Sequence, residues 1–81
     1  MIRILFFGGL RETLACDETQ LAITAPTSIH AIVLQLVQRG DAWQALTKQR
    51  LLCALNQQMA RSDTLVKPGD ELALFPPVTG G

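Results

Sequence analysis

The sequence is poor in the groups from which metal sites and catalytic centres are assembled. It has one histidine, His30, two cysteines, Cys16 and Cys53, and no net charge, seven basic residues being offset by seven acidic ones. Two thiols with neither a C-x-x-C nor a histidine-containing spacing do not make a zinc site, and an iron–sulfur cluster needs more thiolates. They read as a loop thiol and a buried strand thiol in a reducing cytoplasm. The cations Arg3, Arg11, Arg39, Lys48, Arg50, Arg61 and Lys67 are scattered, so there is no stripe to track phosphates and nucleic acid is not an expected partner. Nor is a membrane: the apolar stretch Ala31 to Val37 is broken by Gln35 and falls far short of the ~20 residues that cross a bilayer. Arg3, the run Ile4 to Phe7 and Thr13-Leu14-Ala15-Cys16 faintly imitate a lipoprotein signal. That run is too short, however, and Gly8-Gly9 and Arg11-Glu12 interrupt it. A soluble, cytoplasmic protein is expected.

What is present is apolar material in a short chain. At 81 residues, 48% hydrophobic and 17% charged, the sequence can build one core but not two, because chains of this size bury only about 60% of their unfolded surface. A deep private active site is not expected.

Met1 to Phe7 reads as a strand with two apolar faces, Ile2, Ile4 and Phe6 on one side and Leu5 and Phe7 beside Arg3 on the other. Gly8-Gly9 open a loop expected to run through Asp17, and Thr19 to Thr24 alternates again as the return strand of a hairpin. Thr27 or Ser28 suits the N-cap of a helix running to about Arg39, with Gly40 as its C′ residue. At about 100° per residue, Ile29, Ile32, Val33, Leu36 and Val37 form one stripe, which must cover a sheet. Asp41 reads as a second N-cap, before a short helix from Ala42 to about Lys48 that offers Trp43 and Leu46 to the core. Leu51 to Leu55 is a buried strand, Asn56-Gln57 a turn, Gln58 to Ala60 a brief strand, Lys67 to Asp70 a tight turn and Glu71 to Phe75 the last strand.

This order gives an α+β fold, a mixed sheet of about five strands crossed by one main helix with a short second helix, which is the β-grasp (ubiquitin-like) arrangement. Residues 1–75 form the domain and 76–81 an extended tail. In that arrangement the first and last strands are neighbours. Phe7 and Phe75 would then meet on the face the helix leaves bare, while Leu72 and Leu74 point into the core.

The tail reads Pro76-Pro77-Val78-Thr79-Gly80-Gly81. Two prolines lack N–H donors and hold φ near −65°, so the chain leaves the sheet stiffly extended. Six residues at ~3.3 Å each reach roughly 20 Å, far enough to enter another protein's pocket. Gly80 and Gly81 carry no β-carbon, so the end is thin and its carbonyl is open to attack. The main-chain carboxylate of Gly81 becomes the group of chemical interest: adenylation gives it a leaving group, and a sulfur nucleophile can then make it a thiocarboxylate. A lone Gly-Gly is a weak motif, and its combination with this strand order and with Pro76-Pro77 is what gives it weight.

Ile4-Leu5-Phe6-Phe7, Leu10-Arg11-Glu12, Asn56-Gln57, Gly69-Asp70-Glu71 and above all Phe75-Pro76-Pro77-Val78-Thr79-Gly80-Gly81 resemble the small-subunit family of molybdopterin synthase, the sulfur carriers of molybdenum cofactor biosynthesis. Gly8-Gly9 depart from the small and polar residues more usual there. The resemblance implies that an ATP-using, ubiquitin-activating-like adenylyltransferase activates Gly81 and that a sulfur donor converts it to the thiocarboxylate. The carrier then joins the synthase large subunit in a heterotetramer and gives its sulfur to cyclic pyranopterin monophosphate, forming the dithiolene. Acid–base and substrate-binding residues belong to the large subunit, so this chain is the sulfur-donating part of a sulfurtransferase and binds no cofactor itself. The resemblance also places Arg11 at a partner contact.

Large aromatics on an outward strand face mark an interface, so Phe7 and Phe75 are candidate partner-binding residues, joined by Met59 and by the tail residues Pro76, Pro77, Val78 and Thr79. Trp43 reads as core, His30 as solvated and Ser28 as a cap. Three other readings stay open: a thiamine-pathway sulfur carrier, a ubiquitin-like modifier that forms isopeptides with lysine, and a binding module with an inert tail.

Overall fold

Ile2, Ile4 and Phe6 are almost completely buried while Arg3 and Phe7 are exposed, and this two-residue alternation sets the first strand, β1 (Ile2–Phe6), at the centre of the molecule. The computed structural model describes residues 1–77. After β1 come α1 (Gly9–Leu14), β2 (Glu18–Leu21), β3 (Thr27–Ser28), α2 (Ile29–Val37), a 3-10 helix (Asp41–Gln44), α3 (Ala45–Lys48), β4 (Leu52–Leu55), β5 (Gln58–Ala60), β6 (Leu65–Val66) and β7 (Glu71–Phe75). Five strands form a mixed sheet in the order β2-β1-β7-β4-β5, and β3 pairs with β6 in a separate two-stranded ribbon. β1 runs parallel to β7 with Ile4 opposite Leu72 and Phe6 opposite Leu74. The other pairings are antiparallel. A mixed sheet whose first and last strands are central neighbours, with α2 packed on one face, is the β-grasp fold.

The register decides which side chains share the core. Leu72 and Leu74 stand in the same layer as Ile2, Ile4, Phe6 and Cys53, and α2 closes that layer with Ile29, Ile32 and Leu36. Burying each of these large side chains stabilises the fold by roughly 1.5–3 kcal/mol, an upper estimate because the unfolded chain is already partly compact. Val33 and Val37, from the expected helix stripe, are only half-buried at its flanks. Ser28 caps α2 as expected, its Oγ accepting the Ala31 N–H at 3.1 Å. Trp43 is half-buried with its ring edge-on to Phe6, centroids 5.6 Å apart at 71°. The Arg39 guanidinium lies over the Trp43 ring, 5.3 Å from its centroid, and donates to Thr19 and to the Gln20 carbonyl.

Three local expectations are corrected. The segment after Gly8-Gly9 is not a loop: residues 9–14 form α1, because Leu10 and Leu14, one helical turn apart, both drop into the core. Ala15, at φ 58°, ends that helix in the left-handed conformation. α2 stops at Val37, short of the expected Arg39, and Gly40 (φ 156°) begins the next turn instead of closing α2. Asp41 makes no side-chain cap and is itself the first residue of the 3-10 helix. The Trp43 N–H there bonds to the Gly40 carbonyl at 3.1 Å.

Candidate functional site

Strand alternation delivers a second layer to the face of the sheet opposite α2. Across β1, β7, β4 and β5 the pairings Leu5–Ala73, Ala73–Ala54 and Ala54–Met59 place these side chains in one outward row. One step toward the end from which the tail departs, Phe75 is paired with Leu52. Phe7 continues β1 beside it, its N–H bonded to the Leu74 carbonyl at 3.1 Å. The Phe7 and Phe75 rings stack with centroids 5.1 Å apart and planes 12° from parallel. Met59 is 67% exposed, Phe7 41% and Leu52 38%, so a continuous apolar surface lies next to the root of the tail. Its two central alanines keep it flat.

The opposite end of that face is polar. Arg3 donates to Glu18 at 2.9 and 3.2 Å and to Glu71 at 3.3 Å. The hydrogen bond and charge of Arg3 hold the Glu18 carboxyl below the usual carboxylate range. All three groups are substantially exposed, so they mark where the apolar surface ends more than they stabilise the fold.

The residues anticipated from sequence fall into four groups. Phe7, Phe75 and Met59 lie on this one surface. Pro76 and Pro77 follow directly from it and are half-buried. Arg11 lies elsewhere, on exposed α1 rather than in a loop, with no ion pair among the described residues. Val78, Thr79, Gly80 and Gly81 lie outside the described residues. Leu52, Leu5 and the alanine pair were missed. Leu52 was expected to be buried in its strand, and only the register against Phe75 shows that it faces outward; the exposure of its neighbours in the apolar run cannot be read from periodicity alone.

No other part of the described residues assembles reacting groups. Cys53 is buried, donates its thiol to the Ala60 carbonyl at 3.2 Å, and has its pKa pushed up by burial, which keeps it protonated and unreactive. An open cleft of about 500 Å³ between α2, α3 and the β4–β5 end of the sheet is lined by Ile29, Val33, Leu46 and Cys53, with His30, Arg50 and Arg61 also contributing. No carboxylate accompanies that histidine in the lining, so the cleft lacks an acid–base pair. What the apolar face can offer is a docking surface beside the point where the chain leaves the sheet.

Comparison with known proteins gives the family and the fold. The ThiS family model matches residues 4–81. The molybdopterin synthase sulfur carrier subunit of Haemophilus influenzae is 45% identical over the whole of both chains. Among solved structures, SAMP1 from Haloferax volcanii superposes with a TM-score of 0.81 at 23% identity, covering 99% of this chain and 98% of that one. A chain of the complex of subunits 1 and 2 of molybdopterin-converting factor from Helicobacter pylori gives 0.67 at 23% identity, covering 99% and 97%. At these identities the structural matches establish the shared fold.

Proposed function

The chain belongs to the ThiS family, and from that membership we infer that it works as the sulfur carrier subunit of a molybdopterin synthase, with the Gly81 carboxylate as the group that carries the sulfur. The observation that supports this most directly is the end-to-end 45% identity with a protein named for that role. The family match extends through residue 81. The geometry adds a means of docking: the stacked Phe7–Phe75 pair and Met59 give a partner an apolar surface beside the point where the tail departs.

The proposed chemistry proceeds in balanced steps. A carboxylate oxygen of Gly81 attacks the α-phosphorus of ATP on an activating enzyme, and pyrophosphate leaves. Hydrosulfide supplied by a donor then adds to the acyl carbon, AMP departs with the C–O electron pair and the S–H proton is lost to solvent, leaving a thiocarboxylate. The loaded carrier docks on a synthase large subunit, in a heterotetramer, and its sulfur adds to a carbon of cyclic pyranopterin monophosphate as an oxygen substituent leaves that carbon; water then cleaves the acyl–sulfur bond, so the sulfur stays on the product and Gly81 is released as a carboxylate. This chain contributes no acid or base to these steps. Its part is to bind through the apolar face and to present Gly80-Gly81, whose missing side chains suit a narrow channel.

Intact-mass measurement of the protein from its native cells tests the reading. An oxygen-to-sulfur mass increase confined to the C-terminal peptide is expected, and a variant lacking Gly81 should lose transfer while keeping its fold. Full activity without Gly81 overturns the proposal, as does a tail found only in isopeptide linkage to lysines of other proteins.

A further inference from the structure

Gly8 occupies the turn between the apolar face and α1. Its backbone sits at φ 62°, ψ −143°, a region that residues with a β-carbon rarely enter. Space is tight as well: a β-carbon added to Gly8 would lie 3.0 Å from Cγ and 3.3 Å from Cδ of Pro76, so the proline ring would have to give by a few tenths of an ångström. The ring of the first tail residue therefore lies on the side of Gly8 where a side chain would stand. The turn is held from both sides, since the Phe7 N–H bonds to the Leu74 carbonyl and the Gly8 carbonyl accepts the Arg11 N–H at 3.2 Å. The neighbouring Gly9 is different, with nothing within 4 Å of an added β-carbon and no positive φ.

We propose that Gly8 is the seat of the tail, a positioning residue whose lack of a side chain lets the Pro76 ring lie against the β1–α1 turn and so fixes the direction in which the chain leaves the globule. The proposal rests on the sulfur-carrier reading. Its physical reason is leverage: six residues span at most roughly 20 Å, and over that length a tilt of about 15° at the root corresponds to a displacement of about 5 Å. Positioning errors of about 1 Å at a reacting centre are already costly. A seat at Pro76 reduces the conformations a partner must select from and leaves the docking surface unchanged.

The test uses the full-length carrier with its activating enzyme, following ATP-dependent pyrophosphate release. Gly8→Ala should lower kcat about fivefold or more while KM for the carrier stays within about twofold, because docking precedes and is separate from tail placement. Gly9→Ala, one residue away, should change neither constant. Pro76→Ala keeps Gly8 and its backbone but removes the ring atoms that rest on it. It should reproduce the kcat loss, and it decides the matter if Gly8→Ala does not fold. Wild-type kcat in Pro76→Ala, or an equal loss in Gly9→Ala, overturns the proposal. The contact is also read without any enzyme, as a nuclear Overhauser effect between the Gly8 α-protons and the Pro76 γ- and δ-protons, whose absence overturns it too. A wild-type carrier that is never adenylated refutes instead the sulfur-carrier reading, and the Overhauser effect then still reports on the seat.

Discussion

Phe7 lies flat against Phe75, 5.1 Å between ring centroids and 12° between planes, although 67 residues lie between them in the chain. The parallel pairing of β1 with β7 brings them together, and the Phe7 N–H to Leu74 carbonyl bond fixes their offset. Since Phe7 is 41% exposed, the pair is partly solvated and available to a partner.

Replacing either ring by alanine should therefore affect binding more than folding. Each single variant is expected to weaken association with a large subunit or activating enzyme by about tenfold or more, as loss of a central aromatic does at interfaces. A double-mutant cycle on unfolding should return a coupling of about 0.5–1.5 kcal/mol between the rings. Chemical denaturation and calorimetric titration give the two numbers. Unaltered affinity in both single variants would remove the pair from the docking surface.

Exposure alone does not define that surface, and Leu65 supplies the contrast. It is 57% exposed, close to the 67% of Met59, but sits on the small β3–β6 ribbon, whereas Met59 pairs with Ala54 on the main sheet. Met59→Glu should weaken partner binding about tenfold or more by placing a charge in an apolar contact. Leu65→Glu should leave affinity unchanged, and thermal melts should show both variants folded. Equal losses would mean that the interface extends over the ribbon.

β1, β7 and the main helix were legible because each repeats a simple period: two in β1 and β7, close to four in the Ile29, Ile32 and Leu36 stripe of α2; β3 and β6, two residues each, are too short to show one. α1 was not legible, because its signal is only the pair Leu10 and Leu14 and it begins at glycines that ordinarily mark a loop. The turn at Asn56-Gln57 was visible in composition, but its left-handed backbone was not. Of the candidate site, the Phe7–Phe75 meeting followed from fold topology, whereas Leu52, Ala54 and Ala73 became visible only once β4 was aligned against β7. The contact of Gly8 with Pro76 depends on two distant turns closing together, and no local pattern encodes that.

Asp70 gives the fold an acid-sensitive tie. One oxygen accepts the Lys67 N–H at 2.8 Å and the other the Asn56 side-chain amide at 3.1 Å. These bonds, the Lys67 one first, hold its carboxyl below the usual carboxylate range. A depressed folded-state pKa means that the unfolded chain binds protons more readily. The stabilisation is thus present above about pH 4 and is lost as pH falls through the lower folded value. Asp70→Asn should melt at a lower temperature than wild type at pH 7, and the gap should narrow steadily on acidification. A gap that stays constant to pH 2 would show that the charge plays no part.

The β4–β5 turn offers a stabilising change. Asn56 and Gln57 both have positive φ, 50° and 70°, as a two-residue hairpin turn with the twist of its strands requires. Asparagine tolerates this conformation, while glutamine does so only at a cost. The Asn56 side chain is also engaged, its Oδ1 accepting the Glu71 N–H at 2.9 Å, so it should be kept. Gln57 is exposed. Gln57→Gly removes the β-carbon strain but adds backbone freedom to the unfolded chain, which offsets part of the gain. The first effect should win because left-handed backbone costs a residue with a β-carbon roughly 1–2 kcal/mol. A net stabilisation of about 0.5 kcal/mol, a rise in Tm of about 2–4 °C for a domain of this size, is expected by calorimetry. Gln57→Val, with a branched β-carbon at the same φ, should shift Tm in the opposite direction, and a rise in both variants would show that turn strain is not the cause.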